Sequence, residues 1–243
     1  MFRLFVSFLS AAMTVIAHPG GPNPLLAYDF NSEAIVNGTL KPRFGPTLKL
    51  GGAPLESPTD RAGLRFTALA NGHIAEAPPE ELVKSLPTRE FTLAAWFSID
   101  TAKQYGAVFS SLEDNGGAER GIALGYDGSR PTVSLATKGA DDGDGKMTII
   151  RGSKPWIPGQ LHQIVGTYDG TTLTLYMDGE VVATSLEQSG DILLPAAPRI
   201  VIGGYQDSDE NFPHDGRIVS FRLYNTCATE DWVKHDLEHG EEL

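Results

Sequence analysis

Apolar and polar positions alternate most clearly over Phe91-Thr-Leu-Ala-Ala-Trp-Phe-Ser-Ile99. A period of two puts Phe91, Leu93, Ala95, Phe97 and Ile99 on one side of an extended chain. Thr92, Ala94, Trp96 and Ser98 fall on the other. The first set is expected to face the space between two sheets. Shorter runs of the same kind lie at 25–30, 47–51, 64–67 and 73–75, then at 107–112, 121–126, 132–137, 147–151, 199–204 and 217–224. The 27 glycines and 16 prolines punctuate these runs along the whole chain, which is the pattern of a sandwich or barrel.

The segment 161–184, LHQIVGTYDGTTLTLYMDGEVVAT, carries two Asp-Gly pairs, Asp169-Gly170 and Asp178-Gly179. Asp-Gly suits a tight hairpin because glycine accepts positive φ without a steric penalty. A two-residue turn at Asp178-Gly179 sets Leu175 opposite Val182 and Tyr176 opposite Val181. Helical signals are few. Residues 79–86 read as a short surface helix opened by Pro79 with Glu80 and Glu81 in its first turn. Thr229 is placed to N-cap a closing helix that begins Glu230-Asp231. No linker or internal repeat divides the chain.

At the N-terminus, Arg3 precedes an uncharged apolar run of 13 residues, 4–16. That is shorter than the ~20 residues a membrane span needs, so 1–17 reads as a signal peptide and 18–24 as a proline-rich linker. The domain is expected over 25–238, followed by an acidic tail, 239–243. Export through a signal peptide implies a secreted, periplasmic or cell-surface protein, with no membrane insertion once the signal is removed. The formal charge of −12 argues against nucleic acid, whose phosphates reward Lys/Arg clusters. The single cysteine, Cys227, excludes an intramolecular disulfide and reads as a buried, inert thiol. Asn37-Gly38-Thr39 is a glycosylation sequon.

Several blocks resemble the laminin-G-like domains of the concanavalin A-like superfamily: Leu26-Ala-Tyr-Asp-Phe30, Phe91-Thr-Leu-Ala-Ala-Trp96, Gly166-Thr-Tyr-Asp-Gly170, Leu175-Tyr-Met-Asp-Gly179, Ile202-Gly-Gly204, and Asp215-Gly-Arg-Ile218 with Arg222-Leu-Tyr-Asn225. They occur in the family's order over nearly all of the chain beyond the signal. The resemblance implies an all-β, two-sheet antiparallel jelly-roll β-sandwich with short surface helices. It fixes function less well, because this fold hosts lectins, adhesion modules and hydrolases. In that frame the Asp-Gly pairs are turn-makers and His162 a packed residue.

Signatures of catalysis are missing. The Glu-x-Asp-x-x-Glu strand of related glycosidases is absent, as are Gly-x-Ser-x-Gly, HExxH and a Walker loop. The chain therefore reads as a binding module rather than an enzyme. Calcium needs six to eight oxygens, so acidic loops are its candidate sites. Asp207, Asp209 and Asn211 have the Asp-x-Asp-x-Asn spacing, although Phe212 stands where an EF-hand loop needs glycine. Asp141, Asp142 and Asp144 form a second acidic turn. The family's acidic pair before the closing Arg-x-Tyr is replaced by Val219 and Ser220.

For sugars the candidates are aromatic faces beside polar groups. Trp156 lies in a loop between Pro155 and Pro158, Tyr205 precedes the acidic 207–211 loop, and Glu113, Asp114 and Asn115 form another polar loop. Trp96 and Trp232 read as packing residues. The expected partner is an extracellular glycan or glycoprotein, held with or without Ca²⁺. The alternatives are an adhesion domain that binds a protein and a divergent glycoside hydrolase or polysaccharide lyase. Exposed, coplanar rings at Trp156 and Tyr205 near Asp207 favour sugar, whereas buried rings favour the protein-binding or scaffold reading.

Overall fold

The computed structural model describes residues 23–51, 63–66, 75–76, 85–101, 104–207 and 209–239. The expected signal peptide, most of the expected linker, the expected 79–86 helix apart from its last two residues, and the acidic tail after 239 lie outside them. Eighteen strands form among the described residues. They are β1 (Leu26–Asp29), β2 (Ile35–Val36), β3 (Thr39–Leu40), β4 (Leu48–Leu50), β5 (Leu64–Phe66), β6 (Ala75–Glu76), β7 (Phe91–Ile99), β8 (Gly106–Asn115) and β9 (Ala118–Asp127). There follow β10 (Arg130–Ala136), β11 (Met147–Arg151), β12 (His162–Tyr168), β13 (Leu173–Met177), β14 (Glu180–Ser185), β15 (Val201–Ile202), β16 (Gly204–Gln206), β17 (Asn211–Pro213) and β18 (Gly216–Tyr224). A closing helix, α1, spans Glu230–His239.

The strands pair antiparallel in two stacked sheets. One runs β1-β18-β7-β12-β13-β14, with β5 also on β18; the other runs β11-β10-β9-β8-β15-β6-β4-β3-β2. The alternation of β7 holds: Phe91, Leu93, Ala95, Phe97 and Ile99 all join the core between the sheets. From the facing strands come Val108, Phe109, Ile122, Leu124, Val133 and Leu135. Phe109 and Phe221, one from each sheet, stack with centroids 4.7 Å apart. Gly166 lets the layers approach closely, since a Cβ there would sit 2.8 Å from the Val133 side chain.

The other face of β7 is also covered. Ala94, Val165 and Tyr176 pack against Val233 of α1. The helix is pinned by Arg222, which donates to both oxygens of Asp236 at 2.5 and 2.9 Å, and by Gln163 Nε2, which donates to the same carboxylate at 2.8 Å. Thr229 caps it as expected, its hydroxyl accepting from the Trp232 N–H at 3.2 Å.

The Asp178-Gly179 turn has φ of 51° and 76°, the pair of positive values a type I′ hairpin requires. Tyr176 faces Val181 as expected. Leu175, however, faces Ala183 rather than Val182, because the register shifts between Leu175 and Tyr176. The bulge leaves Val182 without a cross-strand partner and turns it into the core. The Asn37-Gly38 turn of β2–β3, with φ of 52° and 75°, is a hairpin of the same kind whose short strands alternation did not reveal.

Candidate functional site

Strands β8 to β11 turn their second face outward, and that face is lined with small side chains. The register sets Ala107, Gly125, Thr132 and Arg151 in one row across the four strands, with Ser110, Ala123, Ser134 and Ile149 in the next. Large residues of the same strands, Ile122, Leu124, Tyr126, Val133 and Leu135, all point into the core. The outcome is a groove of about 330 Å³. Its floor is Ala107, Ala123 and Gly125. Gly125 is required there, because a Cβ would meet the Gly106 carbonyl oxygen at 2.2 Å.

One wall is the edge strand β11, through Ile149 and Arg151, with Arg151 ion-paired to Asp127. The opposite wall is the β16–β17 hairpin, folded over β8. It contributes Tyr205, Glu210 and Phe212, and Tyr105 stands beside it. Tyr205 and Phe212 stack at 5.7 Å with planes 18° apart, and Tyr105 meets Phe212 at 5.4 Å. Tyr105 is 45% exposed, so its ring is open to a ligand.

Thr132 and Ser134 line the groove while more than nine-tenths buried. Their hydroxyls have no protein hydrogen-bond partner among the described residues. Each can donate one bond and accept others. The groove thus presents hydroxyls on an apolar floor, aromatic faces on one wall and carboxylates at both ends.

Asp207 ties the hairpin wall to β8. Its Oδ1 accepts the backbone N–H groups of Asp209 at 3.1 Å and Glu210 at 2.9 Å. Its Oδ2 accepts the Tyr205 hydroxyl at 2.5 Å and the Asp114 N–H at 3.1 Å. Burial opposes ionisation of Asp207, but these donors outweigh it and hold the carboxyl below its usual range. The Tyr205 hydroxyl is pushed up, first by burial and then by Asp207. Asp114 is raised by burial and by the like charges of Glu119, Asp207 and Asp209. Glu210 is raised for the same reasons, with Asp207, Asp114 and Asp209 as its neighbours.

The sequence-predicted residues fare unevenly. Trp156 is not a ligand platform: it is 2% exposed, packed 4.6 Å from Phe97 and 5.3 Å from His162, with its N–H donating to the Gln160 carbonyl. Its flanking prolines fold the loop inward, and the indole plugs the sandwich. Tyr205 is 7% exposed, so it builds the wall rather than offering a free face, and with both rings buried neither supplies the exposed sugar platform expected of it. Glu113, Asp114 and Asn115 end strand β8 instead of forming a loop; Asp114 lines the groove, whereas Glu113 pairs across to Arg120.

In the 207–211 segment, expected as a calcium loop, the Asp207 carboxylate is engaged within the protein. Both oxygens of Asp207 are taken by protein donors, and Asn211 begins β17. Among the described residues no group of three or more His, Cys, Asp or Glu side chains is arranged to hold a metal. Asp141 likewise accepts from the N–H groups of Gly143 and Gly145 in its own turn. His162 is packed, and its Nδ1 lies 2.6 Å from Asp178. Sequence reasoning missed Tyr105, Phe212, Thr132 and Ser134. Only the register, which gathers small residues into adjacent rows, exposes them.

Two stacked antiparallel sheets with an open groove across one of them define a lectin-like jelly roll. The chain belongs to the concanavalin A-like lectin/glucanases superfamily, whose family model matches residues 71–234. Pappalysin-1 of Mus musculus is 32% identical over 165 residues, which is 63% of this chain and 10% of that protein. The chain therefore spans about a tenth of that relative's length. The binding domain of Paraclostridial Mosquitocidal Protein 1 superposes with a TM-score of 0.63 at 14% identity, covering 88% of this chain and 52% of that one. Trypanosoma rangeli sialidase, in complex with sialic acid, gives a TM-score of 0.58 at 16% identity over 89% of this chain and 33% of that one. These structural likenesses show the fold. Among the described residues no helix is long and apolar enough to cross a membrane.

Proposed function

We propose that the protein is an exported carbohydrate-binding module that holds a glycan in the groove of β8–β11. The observation that carries this reading is the pair of deeply set hydroxyls, Thr132 and Ser134, without protein partners among the described residues, on an apolar floor beside Tyr105 and Phe212. A sugar ring offers one apolar face to an aromatic wall and a rim of hydroxyls to polar groups. The N-terminal apolar run after Arg3 supports export. The family, and solved neighbours that include a toxin binding domain, agree with a binding role.

The test is a glycan array read with the wild-type chain and Tyr105→Ala. The wild type is expected to bind a restricted set of glycans, with and without chelator. Tyr105→Ala is expected to weaken binding about tenfold, or ~1.4 kcal/mol, within the range of a desolvated ring contact. Its melting point should barely move, because the ring is half open to water. Absence of binding to every glycan overturns the proposal.

A second reading has one observation behind it. Asp114 and Glu210 both line one end of the groove and both resist ionisation. A glycosidase uses two carboxyls flanking one bond, one protonated as acid and the other ionised as base or nucleophile. Release of reducing ends from a bound glycan, abolished by Glu210→Gln, would establish hydrolysis instead.

A further inference from the structure

Resting on the carbohydrate reading, we propose that the groove selects uncharged saccharides and rejects those bearing carboxylate or sulfate. The charges that line it are unequal. Among the described residues three carboxylates, Asp114, Asp127 and Glu210, face one guanidinium, Arg151. That guanidinium is already committed to Asp127 by an ion pair. The other two carboxylates have no cation among the lining residues, and Asp207, Asp209 and Glu119 add negative charge behind them.

Hydrogen-bond chemistry points the same way. An ionised carboxylate only accepts. Asp114 and Glu210 can be satisfied by sugar hydroxyls, which donate. A carboxylate or sulfate group on the saccharide brings further acceptors, no donors and a like charge to the same end of the groove. Thr132 and Ser134 accept and donate and so are indifferent to this choice. Selection therefore rests on the acidic end, while affinity rests on the floor and aromatic wall. Among the described residues no unpaired cation lines the groove to receive a saccharide carboxylate.

Asp114 and Glu210 are also suited to substitution. Asp114 meets Asp207 and Tyr205 through its backbone, and Glu210 is exposed with its carboxylate touching only the Tyr205 hydroxyl, so the four hydrogen bonds to Asp207 survive both substitutions. Titration calorimetry at low ionic strength would compare a neutral oligosaccharide selected on the array with its sialyl-capped and 6-O-sulfated derivatives. The wild type is expected to bind the neutral form at least tenfold more tightly than either anionic form. Asp114→Asn/Glu210→Gln should shrink that ratio about tenfold while the melting temperature stays within a degree or two. Added salt should shrink it in the wild type, since the Debye length falls from ~30 Å at 0.01 M to ~10 Å at 0.1 M.

Equal or tighter wild-type binding of the anionic forms overturns the selectivity and leaves carbohydrate binding standing. So does a ratio that the double substitution leaves unchanged. Failure of every saccharide to bind overturns both.

Discussion

The outer faces of the two sheets solve opposite problems. On the β7–β12–β18 face, large polar side chains rise from the strands and are shut under α1. Arg222, Gln163 and Asp236 form one buried cluster there, with Asp236 fully buried and the Arg222 side chain 6% exposed. On the β8–β11 face the strands offer alanine, glycine, serine and threonine, and no helix among the described residues covers them. Unpartnered polar atoms occur on the covered face too, at Trp96 Nε1 and Ser220 Oγ, but they are sealed from solvent. Those of Thr132 and Ser134 open onto a groove. Burial with closure marks a structural contact, and burial with access marks a place for a ligand.

The covered face is where substitution should do most damage. Asp236→Ala would leave the Arg222 guanidinium buried without its counter-charge, at a cost of ~3–5 kcal/mol. Urea unfolding measures it. The double change Arg222→Met/Asp236→Leu should recover much of the loss, because the desolvation penalty of both ions is removed with the pair. A small effect of the single change would mean that the helix is not held by this pair.

On the open face the hairpin wall is the sensitive part. Asp207→Ala should cost ~2–3 kcal/mol, since several donors lose their acceptor together. The loss should be equal in calcium and in chelator. The sign of its pH dependence follows from a folded-state carboxyl held below its unfolded value, near 4. That stabilisation is fully present above the unfolded value and fades as pH falls through the folded one. Melting curves from pH 6 to pH 2 should therefore converge for wild type and variant at the acid end. The smallest effect is expected at the floor. Ser134→Ala should weaken glycan binding about fivefold, near ~1 kcal/mol for one hydrogen bond, and leave the melting temperature unchanged.

The sandwich was legible because period-two alternation is a local signal. Nine consecutive residues of β7 declare their faces without knowledge of any partner strand. Asp178-Gly179 declared its turn in the same way. The groove was not legible, for a physical reason. Ala107, Ala123 and Gly125 are separated in sequence, and each reads alone as an unremarkable spacer. Their meaning arises only when the Ala107–Gly125 and Ala123–Ser134 pairings set the small residues side by side. Trp156 shows the converse. A tryptophan between prolines in a loop looks free to reach solvent, yet Phe97 and Tyr126 of the two sheets leave a gap that its ring fills. The β16–β17 wall was hidden because strands of three residues carry too little pattern to be recognised.

The Asp207 knot has a consequence for kinetics. A rim fastened to the neighbouring strand before any guest arrives leaves no lid to swing shut, so the ordering entropy of that rim is spent when the polypeptide folds and not at each encounter. Capture should then proceed as a rigid-body event in a single phase. The separation between the fastened hairpin and the edge strand that carries Ile149 would set, like a gauge, the thickness of chain admitted.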